Sequence, residues 1–295
     1  MATAGLVQQL IDKQTWLDGI SEAVQPVLEK VFSETGEPGK VVKDFLNGVW
    51  LGHPLHPAIT DVPIGAWTVT QVLDILSLAA GDDDNLDRAS DMALGIGVVA
   101  AVGAAVTGIV DWSDTYGSPR RTGLAHALLN TVSLTLNVGS MSLRAGGRRN
   151  RGTARLLSLT AYGISSAAAF IGGELVYNLG QSVNRNAWTS GPKSFKEIGT
   201  PIDLDDAKMH HVQVAGKDIV VVQDEDGLHA FGGVCSHEGC GLWEGQLEGH
   251  VVTCQCHGSQ FDITDGTIIH GPATAPVPSY DVHRDGDRLR LRARA

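Results

Sequence analysis

The middle of the chain sets the tightest limit on its fold. Residues 92–110, 122–143 and 156–173 run nineteen, twenty-two and eighteen residues without Asp, Glu, Lys or Arg, and 62–80 is interrupted only by Gln71 and Asp74. A helix of about 20 apolar residues crosses a hydrocarbon layer about 30 Å thick, so these stretches read as four membrane helices. Glycine and alanine are frequent in them, as expected where helices pack closely in lipid. A soluble, alanine-rich four-helix bundle is the alternative, but it needs a polar outer face, and 92–110 is apolar all round. Ala161, Ser165, Ala169 and Gly173 recur every four residues and predict a small-residue seam on the fourth helix.

Polar side chains inside such spans are costly and should face the bundle interior. His126, Asn130, Ser133 and Asn137 form one such stripe, and Trp67, Thr70, Asp74 and Ser77 another. Ahead of the spans, residues 1–50 read as amphipathic helix, with a second run at 41–50 after Gly36-Glu37-Pro38-Gly39. That region either lies on a bilayer surface, or covers the next domain or packs on a second copy of the chain. No basic segment precedes an uninterrupted apolar run at the N-terminus, so no secretory signal is expected.

After a polar linker expected at 176–192, short apolar or alternating runs take over. Strands are predicted around 212–214, 219–223, 228–231, 251–253, 267–270 and 289–291, between turns such as Asp226-Gly227 and Asp285-Gly286-Asp287. The fold class is thus multidomain: an all-α four-helix transmembrane bundle at 51–175, then an all-β antiparallel sandwich at 193–295. The net charge of −11 argues against nucleic acid, which requires a basic face.

Chemistry concentrates at 235–262, CSHEGCGLWEGQLEGHVVTCQCHGSQFD. Two thiolates and two imidazoles in Cys235-Ser236-His237 and Cys254-Gln255-Cys256-His257 suit a [2Fe-2S] centre with two cysteines on one iron and two histidines on the other. Cysteine and histidine at such spacings also bind zinc tetrahedrally, although zinc signatures usually show C-x₂-C or H-x₃-H pairs.

The stretch resembles the Rieske iron–sulfur family. The resemblance implies Cys235 and Cys254 on one iron and His237 and His257 on the other. It also implies a disulfide between Cys240 and Cys256, as in the Rieske subunits of cytochrome bc complexes. Gly258-Ser259-Gln260-Phe261-Asp262 follows the family pattern, in which the serine donates to a cluster sulfur. Many high-potential members have Tyr where this chain has Phe261, which predicts a lower potential here. Gly271-Pro272-Ala273 opens what looks like the family's proline loop, which shields the cluster from water.

His53-Pro54-Leu55-His56-Pro57, followed by an apolar helix interrupted at Pro63, resembles a family of bacterial membrane domains of unknown function over about 50–175. With four antiparallel spans, His53, His56, Asp61, Asp111 and His126 are expected at similar depth on the face that also receives the C-terminal domain. Imidazoles and carboxylates there suggest a second redox or metal site, with haem one candidate group.

The sequence thus predicts a multi-pass protein of the bacterial cell membrane that carries single electrons. Candidate partners are a quinol oxidoreductase complex or another membrane redox centre and a cytochrome. The alternatives are a redox-state-dependent sensor or interaction protein, and an electron-delivery component of an oxygenase system. No substrate site of its own is evident, and no mononuclear-iron oxygenase domain is expected after the cluster motif. Arg144, Arg148, Arg149, Arg151 and Arg155 mark a cytoplasmic loop, and Arg148-Arg149 resembles an internal twin-arginine signal. Together with the disulfide they place the C-terminal domain on the extracytoplasmic side.

Overall fold

The computed structural model describes residues 3–189, 191–198, 204, 208–285 and 288–294. The chain divides into two units, Met1–Val31 with Leu55–Gln181, and Phe32–Pro54 with Ser182–Ala295.

In the first unit, α1 (Thr3–Asp12) and α2 (Trp16–Ser33) precede four long helices: α4 (Leu55–Ala79), α5 (Asp84–Ser113), α6 (Gly117–Ala145) and α7 (Arg151–Tyr177). α3 (Glu37–Asn47) belongs to the second unit. Asp83 caps α5, its carboxylate accepting from the N–H of Asn85 and Leu86.

Three helices, Leu55–Ala79, Asp84–Ser113 and Arg148–Tyr177, are long and apolar enough to cross a membrane among the described residues. α6 covers the stretch expected as a fourth span but falls short of that apolarity. His126, Asn130, Thr131, Ser133 and Asn137 dilute its middle.

The unit is built inside out. Ile75, Leu78, Met92, Val99 and Leu156 are exposed, while Thr70, Asp74, Ser77, Ser90, Ser133 and Asn137 are buried. Lipid accepts apolar side chains, so polar groups gather where helices meet. Both expected polar stripes are therefore interior. The small-residue seam of α7 needs correction: Ala169 is exposed, and Ala154, Ser158, Ala161, Ser165 and Ala168 line the contact instead. A strict four-residue step overruns the 3.6-residue turn and drifts off the face.

α1 and α2 pack on this bundle. Arg121 donates to both Asp18 oxygens and to the Asp12 carbonyl, Gln8 donates to Ser118, and Ile11 and Leu17 join Trp112, Leu124 and Ile171 in one core. Of the readings of the N-terminal helix, the cover for the next domain therefore holds for this face. Leu6, Leu10, Val27 and Val31 stay exposed on the other.

Among the described residues, the second unit holds ten strands. They are β1 (Lys196–Glu197), β2 (His210–Val214), β3 (Lys217–Asp224), β4 (Gly227–Gly232), β5 (Gln246–Glu248), β6 (Val251–Thr253), β7 (Gln260–Asp262), β8 (Ile268–His270), β9 (Ser279–Asp285) and β10 (Arg288–Ala293). One sheet runs β1-β10-β9-β4-β3-β2 and the other β5-β6-β7-β8, with every pairing antiparallel. Val220 and Val222 of the first sheet meet Val252 and Phe261 of the second in a shared core, which makes a sandwich. All six predicted strands form. β1, β5 and β7 escaped because two or three residues carry no alternation, and β9 because SYDVHRD is mostly polar. Of the turn expected at 285–287, Gly286 and Asp287 lie outside the described residues.

The linker expected at 176–192 is largely held. Arg185 N–H donates to the Ser236 carbonyl, Asn186 Nδ2 to the Val234 carbonyl, and Pro192 accepts from Ala293 N–H. From Ser182 onward the chain is part of the β unit.

Candidate metal centre

Two loops of matched design approach each other on the sandwich. The first, 235–240, follows β4, and the second, 254–259, joins β6 to β7. In each, the leading cysteine's N–H donates to the carbonyl that ends the loop (Cys240, 2.8 Å; Ser259, 2.8 Å). Gly239 and Gly258 donate back to the Cys235 and Cys254 carbonyls at 3.1 and 3.0 Å. These glycines sit at φ 83° and 75°, a region that side chains rarely adopt, so glycine lets both loops close.

The closed loops turn backbone N–H groups onto sulfur. Cys235 accepts from His237 and Glu238, and Cys254 from Cys256 and His257. The two thiols also share a hydrogen bond. It pushes Cys235 up, burial adding to the rise, and draws Cys254 down. Cys240 and Cys256 are joined by an S–S bond of 2.04 Å, so the proximity of Cys240, Cys254 and Cys256 is not a thiolate site. Cys235 and Cys254 remain as buried free cysteines.

On the same two loops, His237 and His257 bring their Nδ1 atoms to 3.3 Å, with perpendicular rings whose centres are 4.8 Å apart. Two nitrogens bound at about 2.1 Å to one tetrahedral metal lie roughly 3.4 Å apart, so the pair is spaced for a shared ion. Burial, then the charges of His257, Lys43 and Arg185, hold the His237 imidazole down to about 3. It is therefore neutral at pH 7, the form that ligates. Cys235, Cys254, His237 and His257 could thus hold a two-iron cluster with unlike ligand pairs.

Residues 194–281 match the family described as Rieske [2Fe-2S] domain. The ferredoxin component of the alkene monooxygenase system of Xanthobacter autotrophicus is 33% identical over 88 residues, which is 30% of this chain and 71% of that protein. The chain belongs to the Rieske [2Fe-2S] family. Also similar are the ferredoxin component of the naphthalene 1,2-dioxygenase system of Pseudomonas aeruginosa (29% over 80 residues, 27% of this chain and 77% of that one) and the cytochrome b6-f complex iron-sulfur subunit of Chlorobaculum thiosulfatiphilum (30% over 92 residues, 31% and 50%). Residues 52–185 match a second family, described as predicted membrane protein (DUF2231). The Rieske head therefore carries a [2Fe-2S] cluster and serves electron transfer, and the helical unit is a membrane domain.

The rest of the Rieske site is built from the loop after β8. Pro272 follows a cis peptide bond and is buried. Ala273 N–H donates to Ser259 Oγ at 3.0 Å, and Ser236 Oγ donates to the Ala275 carbonyl, so each cluster loop is tied to the proline loop. Ser259 accepts from Ala273 through its oxygen and keeps its own proton to donate. Phe261 is fully buried in the core that includes Cys235 and Cys254.

Asp44 was not foreseen. On α3 it accepts from His270 Nδ1 at 2.6 Å and from Gly271 N–H at 2.8 Å, holding the start of the proline loop. The partners are 226 and 227 residues away, a separation no periodicity records. Part of the 41–50 run, read as either bilayer-bound or covering the next domain, is thus a brace for the Rieske head. Its Val41, Val42, Phe45 and Trp50 remain exposed.

In the helical unit, of the five residues expected to converge, His56 and His126 do so, with ring centres 6.1 Å apart. Asp61 is exposed on α4, because five residues past His56 carries it about 140° around the helix. Asp111 is half-buried near the end of α5. His53 is exposed, its Nδ1 lying 3.2 Å from the Pro54 carbonyl, and belongs to the other unit.

Proposed function

We propose that this protein is a membrane-anchored Rieske carrier in which Cys235 and Cys254 hold one iron and His237 and His257 the other. The observation that carries the reading is the pair of Nδ1 atoms 3.3 Å apart, on two disulfide-joined loops that also hold the two buried free thiols. A cluster so held supplies one-electron chemistry at a higher potential than an all-cysteine cluster. The chain's own part is to keep His237 neutral, to aim four backbone N–H groups at the two sulfurs, and to close the proline loop against water. Ser259 donates to a cluster sulfur and raises the potential.

The head faces the extracytoplasmic side. A disulfide persists in an oxidising compartment, and the arginines at the α6–α7 junction suit a cytoplasmic loop. A quinol or membrane redox centre is then the donor, and a soluble cytochrome the acceptor. The likeness to the cytochrome b6-f subunit supports that pairing. Electron delivery to an oxygenase is the second reading, favoured by the likeness to the alkene monooxygenase ferredoxin component.

Purified full-length protein should show the optical and EPR spectra of a histidine-ligated [2Fe-2S] cluster, lost in Cys235→Ser and His257→Ala. Stoichiometric zinc with no EPR signal on reduction would sink the ligand assignment. Protease accessibility in intact spheroplasts tests the side, and protection of residues 194–281 would reverse it. Oxidation by a c-type cytochrome at rates matching quinol turnover supports the first partner. Turnover only with an added oxygenase supports the second.

A further inference from the structure

The four long helices form two hairpins of one design, α4 against α5 and α6 against α7. His56 and Asp74 are spaced along α4 as His126 and Arg144 are along α6, and Ala104 and Gly108 stand on α5 as Ala168 and Gly172 stand on α7. The contacts repeat with the spacing. His56 Nδ1 lies 2.8 Å from the Ala104 carbonyl, and His126 Nδ1 lies 2.8 Å from the Ala168 carbonyl. A Cβ on Gly108 would stand 2.7 Å from His56 Cε1, and one on Gly172 would stand 3.1 Å from His126 Cε1. Each imidazole therefore occupies the place of a side chain its partner helix lacks. The charges invert between hairpins: Asp74 pairs with Arg144, and Asp87 with Arg151.

The geometry points to a haem site in the helical unit, with His56 and His126 as its two axial ligands. A carbonyl engages each Nδ1, which puts the proton there and leaves the lone pair on Nε2. Asn130 Nδ2, 3.1 Å from His126 Nε2, donates to that lone pair. It also reaches the His126 carbonyl at 3.1 Å, so it has a second acceptor when Nε2 takes a metal. The ring centres are 6.1 Å apart and the rings perpendicular. With iron–nitrogen bonds of about 2 Å and each ring centre about 1 Å beyond its nitrogen, two trans imidazoles stand roughly 6 Å apart.

A bare ion fits less well. Among the described residues, the groups of three or more ligating side chains include neither His56 nor His126, and two imidazoles complete neither a tetrahedral nor an octahedral shell. A porphyrin brings four equatorial nitrogens of its own, so two imidazoles complete its shell. The site stands independently of the cluster's partners.

The test uses full-length protein expressed with haem precursor and purified in detergent, with hemin added back to haem-depleted samples as the probe. One haem per chain with the optical and EPR signature of a low-spin bis-imidazole iron is expected. His56→Gln and His126→Gln keep a donor for the Ala104 and Ala168 carbonyls but cannot ligate in the same way. Each should lose haem at least tenfold or turn it high-spin, while the [2Fe-2S] EPR signal persists and reports a folded chain. Wild-type protein that neither contains nor takes up haem overturns the proposal and leaves the pair as a hydrogen-bonded packing device. So does low-spin haem retained in both variants.

Discussion

Phe261 shows what one atom decides at this site. Its ring is fully buried among the residues that hold the cluster loops, and it lacks the hydroxyl that the family's tyrosine would offer. A hydrogen bond is worth about 1 kcal/mol, or roughly 40 mV for one electron, so Phe261→Tyr should raise the midpoint potential by that order. Protein-film voltammetry reads it, and an unchanged potential would show that the hydroxyl does not reach a sulfur. His237 gives a pH dependence. An unfolded histidine takes a proton near pH 6.5, whereas His237 in the fold resists it to about 3. Between those values the unfolded chain binds more protons, so stability of the cluster-free protein falls as pH drops from 6.5 towards 3. Urea midpoints of cluster-stripped full-length protein, followed by pulse proteolysis of the C-terminal unit, should decline across that window. His237→Gln should flatten the decline.

Among the elements, α3 is where local pattern and tertiary role part company. Its exposed Val41, Val42 and Phe45 carry the amphipathic signal, but Asp44 on the polar side does the fastening. Asp44→Ala leaves the Gly271 N–H without its acceptor and should destabilise the proline loop by about 1–3 kcal/mol. Hydrogen exchange over 268–275 should then quicken by about tenfold to a hundredfold; unaltered exchange there would mean that α3 does not hold the loop. α6 makes the complementary point. Its polar stripe was legible and is interior, yet the same residues keep it from matching the apolarity of its neighbours.

At the scale of the molecule, the helical unit closes around charge. Arg144, with 2% of its side chain exposed, binds Asp74 through both oxygens and reaches Ser90, Ser140, Ser158 and Asp91. Arg155 bridges Asp82 and Asp87. Removing one partner of a buried pair costs about 3–5 kcal/mol, because the other charge is left unpaired. Asp74→Ala should therefore lower the thermal midpoint in detergent sharply. The exchange Asp74→Arg with Arg144→Asp should recover most of it, since the two positions are equivalent in the repeat. If the exchanged protein is no better than Asp74→Ala, the equivalence is wrong.

The sequence by itself determined which parts meet lipid and what chemistry the C-terminal loops carry. Long uncharged runs leave few foldable options, and Cys235, His237, Cys254 and His257 lie in short segments whose spacing is a local property. The polar stripes on α4 and α6 were legible for the same reason, since helical period follows from adjacent residues. Only the tertiary structure decided which elements share a site. Asp44 meets the proline loop across most of the chain, Arg185, Asn186 and Pro192 are bound to the head, and His56 is paired with His126 while Asp61 turns outward. The doubled hairpin emerged only from the paired contacts, although comparing the offsets of His56–Asp74 and His126–Arg144 would have exposed it. Such contacts join residues far apart in the chain, and no window along the sequence contains both partners.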